Sequence, residues 1–130
     1  MRLAIVSDIH ANLEALRATL ESVSADGVDR LLCLGDIVGY HADPEECVAS
    51  LRRFDPICVA GNHDRAVAGC ITTEGFNADA ARGVAWTRER LPATALTLTL
   101  TVAPGRNAGT SDRSEAASTE SRMCMLVTPP

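Results

Sequence analysis

Apolar positions in the first half of the chain form short runs, and each run stops at a polar cluster. Arg2-Leu3-Ala4-Ile5-Val6-Ser7 is apolar and partly β-branched up to Asp8, which predicts a buried strand. Asn12 then offers a helix N-cap, and Leu13, Leu16, Leu20 and Val23 recur at helical spacing until Gly27 stops the pattern. Leu31-Leu32-Cys33-Leu34 repeats the strand signature and ends in Gly35-Asp36. Asp43-Pro44-Glu45-Glu46 opens a second helix with an acidic cap and proline at the first helical position. Pro56-Ile57-Cys58-Val59-Ala60 reads as a third strand, running into Gly61-Asn62-His63-Asp64. Three strands alternating with helices predict an α/β fold with a parallel sheet and right-handed crossovers. Asn77 is positioned to cap a further helix reaching about Leu91, with Trp86 as a core residue and Pro92 closing it.

Beyond that helix the pattern changes. Leu96-Thr97-Leu98-Thr99-Leu100-Thr101-Val102 alternates strictly, as a half-buried strand does. Residues 103–130 lose periodicity and are rich in Gly, Ser and Thr, so we read them as a disordered or frame-altered tail following a partial domain over residues 1–102. Charge divides the same way. Residues 1–95 carry 14 acidic and 9 basic side chains, whereas residues 96–130 carry 3 and 3.

The net charge of −5 has the wrong sign for a protein that gains affinity by neutralising phosphate backbones, so no specific nucleic-acid partner is expected. No apolar run approaches the roughly 20 residues that span a bilayer, and the N-terminus lacks a signal-peptide pattern. The expectation is a cytoplasmic protein with no membrane association. Five cysteines without a C-x-x-C pair suggest reduced, mostly buried thiols rather than a disulfide framework or zinc knuckle.

The chemistry concentrates where the predicted strands end. Asp8-Ile9-His10, Gly35-Asp36 and Gly61-Asn62-His63-Asp64 each follow one of the three strands, and ligands in open α/β sheets bind at those carboxyl ends. Residues two apart in an extended segment share a side, so Asp8 and His10 are expected to grip one ion together. Asp36 adds a carboxylate from the next strand and Asn62 a neutral oxygen. Mixed carboxylate, imidazole and amide donors suit manganese, iron or zinc better than calcium. Taken singly, Asp8 could be a helix cap and Asp36 or Gly61-Asn62 a turn. Their recurrence at the same point of three successive units is what argues for a site.

These clusters resemble the opening motifs of the calcineurin-like metallophosphoesterases: Asp-x-His, Gly-Asp and Gly-Asn-His-Asp, in that order. The stretches Ser7-Asp8-Ile9-His10-Ala11-Asn12 and Gly35-Asp36-Ile37-Val38-Gly39-Tyr40 are most similar to the small bacterial and archaeal phosphodiesterases of that family, over about residues 1–95. The resemblance implies the N-terminal half of a β-sandwich flanked by helices. It also implies a phosphodiesterase or phosphatase in which two divalent ions activate water for attack on a small phosphate ester. Manganese is the first expectation; iron, nickel, zinc and magnesium are alternatives. By the same resemblance Asp8, His10 and Asp36 hold the first ion, Asp36 and Asn62 the second, His63 is the catalytic histidine and Asp64 orients it. Arg65 is either a substrate contact or a surface residue at a helix start, and His41 reads as an incidental surface residue.

The family takes further metal-binding histidines from the second half of its fold. The three histidines here are His10, His41 and His63. The alternative reading is therefore a truncated, catalytically impaired remnant or a weak metal-binding module. A single strand in place of a second sheet would also leave one sheet face uncovered, an expected route to self-association.

Overall fold

The computed structural model describes residues 1–91 together with residue 95. The elements run β1 (Leu3–Val6), α1 (Leu13–Ala25), β2 (Arg30–Cys33), α2 (Pro44–Arg52), β3 (Ile57–Cys58), α3 (Asn62–Val67) and α4 (Ala78–Arg90). The strands form one sheet in the order β1-β2-β3. Both pairings are parallel, with Ile5 opposite Leu32 and Cys33 opposite Cys58. The parallel β-α-β-α-β start expected from the sequence is thus the observed one. The expected strand over residues 96–102 and the tail over 103–130 lie outside the described residues.

Local chemistry sets the element ends. Asn12 Oδ1 accepts from Ala15 N at 3.1 Å and Asn77 Oδ1 from Ala80 N at 2.8 Å, so both asparagines cap as expected. Asp43 is the N-cap residue of α2, but its side chain makes no capping bond and Pro44 supplies the start signal instead. β3 is only two residues long, shorter than its apolar run. The chain from Ala60 onward leaves the ladder to enter α3.

The core lies between the sheet and its helices. Leu13, Leu16 and Leu20 from α1 and Cys47, Val48 and Leu51 from α2 pack with Leu31, Cys33 and Cys58 of the sheet. Burying one such leucine stabilises by roughly 2 kcal/mol. The strand residues that alternate with these point the other way, leaving Leu3, Ile5, Leu34, Ile57 and Val59 exposed. Cys33, Cys47 and Cys58 are buried free thiols, as expected. Among the described residues no helix is long and apolar enough to cross a membrane.

Candidate metal and catalytic site

Past the last strand residues, the first two strand-end loops remain stitched together by backbone hydrogen bonds. Asp8 N donates to Gly35 O at 3.2 Å, His10 N to Asp36 O at 2.9 Å and Ala11 N to Ile37 O at 2.8 Å. This brings the first two clusters side by side. Their backbone is not extended, contrary to the sequence reading: Asp8, His10, Ala11 and Asp36 have φ of 55°, 49°, 60° and 53°. Non-glycine residues in that left-handed region cost on the order of 1–3 kcal/mol each and persist where the surroundings hold them. Asp8 and His10 therefore meet because the chain coils, not because of a β pleat.

Glycine makes the third loop fit. A Cβ on Gly35, whose φ is +95°, would lie 2.2 Å from Gly61 N, and one on Gly61 would lie 2.2 Å from Asp36 Oδ1. Only hydrogen at both positions lets the second and third loops touch. His63 N then donates to Asp36 Oδ1 at 2.9 Å.

One ligand atom each from Asp8, His10 and Asp36 lies within 4.8 Å of the others, a spacing compatible with a shared ion. His10 Nε2 stands 3.7 Å from Asp8 Oδ1. Its Nδ1 lies 3.3 Å from the carbonyl of Val38, a group that only accepts, so Nδ1 carries a proton and Nε2, the atom turned toward Asp8, is the one that would ligate an ion. Ser7 Oγ donates to Asp8 Oδ2 at 2.5 Å, holding the carboxylate in place. Two carboxylates and an imidazole held by its Nδ1 thus fit a divalent transition metal. Asn62 begins α3 and is exposed, between Gly61 and His63, both of which contact Asp36.

His63 is 5% exposed, with its ring centroid 4.7 Å from that of His10 and 4.9 Å from that of Tyr40. Its Nδ1 is buried with no hydrogen-bond partner. Burial, reinforced by the nearby His10, pushes its pKa below the ordinary histidine value, which keeps the imidazole neutral at pH 7. Asp64 does not orient it, contrary to expectation. Asp64 Oδ1 accepts from Ile37 N at 2.9 Å and Val38 N at 3.2 Å, and Oδ2 accepts from Gly61 N at 3.0 Å. With both oxygens occupied by backbone amides, the carboxylate clamps the second loop to the third. Burial pushes its pKa up, while those same amides pull it down.

Three residues carry more than the sequence suggested. His41, read as incidental, brackets the His10 carbonyl with its backbone N at 3.1 Å and its Nδ1 at 2.9 Å. Tyr40, which the motif reading passed over, packs its ring against both His10 and His63 with centroids 4.9 Å away in each case. Trp86, expected in the core, is half-buried and lines a surface cavity. Arg65 is exposed.

Over residues 1–111 the sequence matches the calcineurin-like phosphoesterase family. The chain belongs to that family. An uncharacterized protein of Methanocaldococcus jannaschii is 45% identical over 87 residues, which are 67% of this chain and 36% of that protein. The crystal structure of a metallophosphoesterase from Sphaerobacter thermophilus superposes with a TM-score of 0.59 at 44% identity, covering 76% of this chain and 40% of the other. A second solved structure, described as a candidate diadenosine tetraphosphatase, superposes with a TM-score of 0.56 at 29% identity, covering 74% of this chain and 41% of its own. The chain therefore spans about two-fifths of the length of the relatives it matches.

Proposed function

We propose that the chain carries the first half of a metal-dependent phosphoesterase centre and hydrolyses phosphate esters with two divalent ions, manganese foremost. The observation that supports this most directly is the convergence of Asp8, His10 and Asp36, with His63 packed beside them. Asp8, His10 and Asp36 would hold one ion, and Asp36 with Asn62 a second. Divalent ions there would supply Lewis-acid activation of water and of the phosphoryl oxygens.

The chain's own residues do the rest. In the reaction the water oxygen bonds to phosphorus, the bond from phosphorus to the ester oxygen breaks, and a proton passes to the departing oxygen. A neutral His63 has one N–H to offer a developing oxyanion without first having to ionise, so its hydrogen bond strengthens as charge builds. Asp64 acts at one remove, fixing the loops that carry Asp36 and His63.

The test is hydrolysis of bis(p-nitrophenyl) phosphate by the purified chain with and without Mn²⁺. Turnover that needs Mn²⁺ and disappears in His63→Ala is expected. Folded protein that is stabilised by Mn²⁺ yet gives no turnover would overturn the enzymatic reading in favour of a metal-binding module.

A further inference from the structure

Beside the donor cluster lies a groove of about 880 Å³ between the start of α1, the loop over residues 40–43 and one face of α4, a size typical of small-molecule sites. The α4 wall is made by Asp79, Arg82, Gly83 and Trp86, spaced i, i+3, i+4 and i+7 and so on one helical stripe. Gly83 is where the helix meets the loop: a Cβ there would lie 2.8 Å from Tyr40 N. That close approach sets Trp86 and Tyr40 on the same groove, and the Tyr40 ring in turn packs on His10. The groove shares Asn12 and His41 with the adjoining cavity that Asp8 and His10 line.

Its chemistry is selective. Two aromatic side chains present surface for a planar ring. Glu14, Asp43 and Asp79 offer three carboxylates against one cation, Arg82, which is already paired with Asp79. An additional phosphate or an acidic peptide would be repelled there, whereas a group rich in hydroxyl or amino donors would find acceptors. Asp43 makes no capping bond to α2, so its carboxylate is available to the groove. The Arg90 guanidinium carbon sits 3.9 Å from the Trp86 ring centroid and steadies the indole.

Building on the phosphoesterase reading, we propose that this groove is the specificity subsite for the organic part of the substrate and that it takes a nucleoside: the base lies against Tyr40 and Trp86, and the sugar hydroxyls donate to Asp43 and Glu14. The substrate class is then a nucleotide ester rather than a phosphoprotein or inorganic polyphosphate.

Trp86 is the single tryptophan of the chain, which makes the binding test independent of catalysis. Adenosine, carrying no phosphate, is titrated into the metal-free protein while Trp86 emission is followed. Saturable quenching is expected, with Asp43→Asn weakening it about tenfold through loss of a charge-assisted hydrogen bond. Unchanged emission up to about 10 mM adenosine, a range that passes millimolar dissociation constants, would overturn the subsite. Hydrolysis of thymidine 5′-(p-nitrophenyl) phosphate is then compared with that of methyl p-nitrophenyl phosphate, which shares the leaving group. A kcat/KM preference for the nucleoside ester that falls in Trp86→Ala supports the subsite. Mn²⁺-dependent turnover without that preference overturns the subsite and leaves the phosphoesterase reading standing. Adenosine quenching without any turnover does the reverse.

Discussion

Behind the strand ends the site has two layers that treat polar groups in opposite ways. The inner layer, with Gly35, Ile37, Val38 and Asp64, is buried, and both Asp64 oxygens are engaged by backbone amides. The outer layer, with Asp8, His10, Asp36 and Asn62, is half-buried or exposed. There Asp8 and Asp36 each bring a carboxylate oxygen close to His10, and Asp36 accepts a single backbone amide, that of His63, where Asp64 accepts three. Carboxylates of the same chemical type thus divide into one that builds the loops and two that are presented to a ligand. The lesson is that motif membership does not assign a role; what each oxygen touches does.

The sharpest way to break this division is to remove the inner carboxylate. Asp64→Ala leaves the amides of Ile37, Val38 and Gly61 without their acceptor. Unsatisfied buried donors and lost charge-assisted bonds together cost about 4 kcal/mol. Urea denaturation is expected to show that loss, and a midpoint close to wild type would contradict the clamp. Asn at this position restores only part of the stability, because its NH₂ would meet one of the backbone N–H donors.

Next in size is the contact between the second and third loops. Gly35→Ala places a Cβ 2.2 Å from Gly61 N at a residue whose φ is +95°, so backbone must shift. The expected loss is about 2–3 kcal/mol in thermal or chemical unfolding. Mn²⁺ binding should weaken as well, because the shift moves Gly61 away from Asp36. Stability unchanged from wild type would show that the loops do not depend on this approach.

Much of this arrangement was legible in the sequence, and the misses share a cause. Short apolar runs ending on polar clusters gave the three strands, and the caps Asn12 and Asn77 were readable because capping depends on residues only three apart. The donor set Asp8, His10 and Asp36 followed from strand-end placement. The role of Asp64 was misassigned because its partners Ile37 and Val38 lie 27 and 26 residues away, and no local pattern reports a long-range backbone bond. Tyr40 was given no role and His41 was read as incidental for the same reason: their meaning comes from His10, about 30 positions earlier. Trp86 looked like core because an indole on an Ala-rich helix usually is, and the groove beside it exists only once Gly83 has brought α4 against the loop.

The outer layer predicts the opposite behaviour. Asp36→Asn keeps an Oδ1 acceptor for His63 N while removing the charge a metal ion requires, so the unliganded protein should unfold within about 0.5 kcal/mol of wild type. Wild-type protein in Mn²⁺ at 100 times its dissociation constant gains about 2.7 kcal/mol, and the variant is expected to lose most of that gain. Calorimetric titration with Mn²⁺ reads the same difference directly. A variant that is strongly destabilised yet still binds Mn²⁺ normally would move Asp36 into the inner layer.

The smallest effect is expected on the face of the sheet away from the helices, where neither layer reaches. Ile57 is 45% exposed and Ile5 61% exposed, and the two flank Leu32 in register across the strands. Replacing Ile57 by Thr keeps the β-branch that suits a strand and removes little buried area. Stability should therefore change by less than about 0.5 kcal/mol. The apolar patch should nevertheless shrink, because Leu3, Ile5, Leu34, Ile57 and Val59 share it. Binding of a hydrophobic dye such as ANS, compared between wild type and Ile57→Thr, is expected to fall while the denaturation midpoint stays put. A loss of stability as large as that of a core leucine, about 2–5 kcal/mol on truncation, would mean that this face is packed in solution and that the sheet has two covered sides.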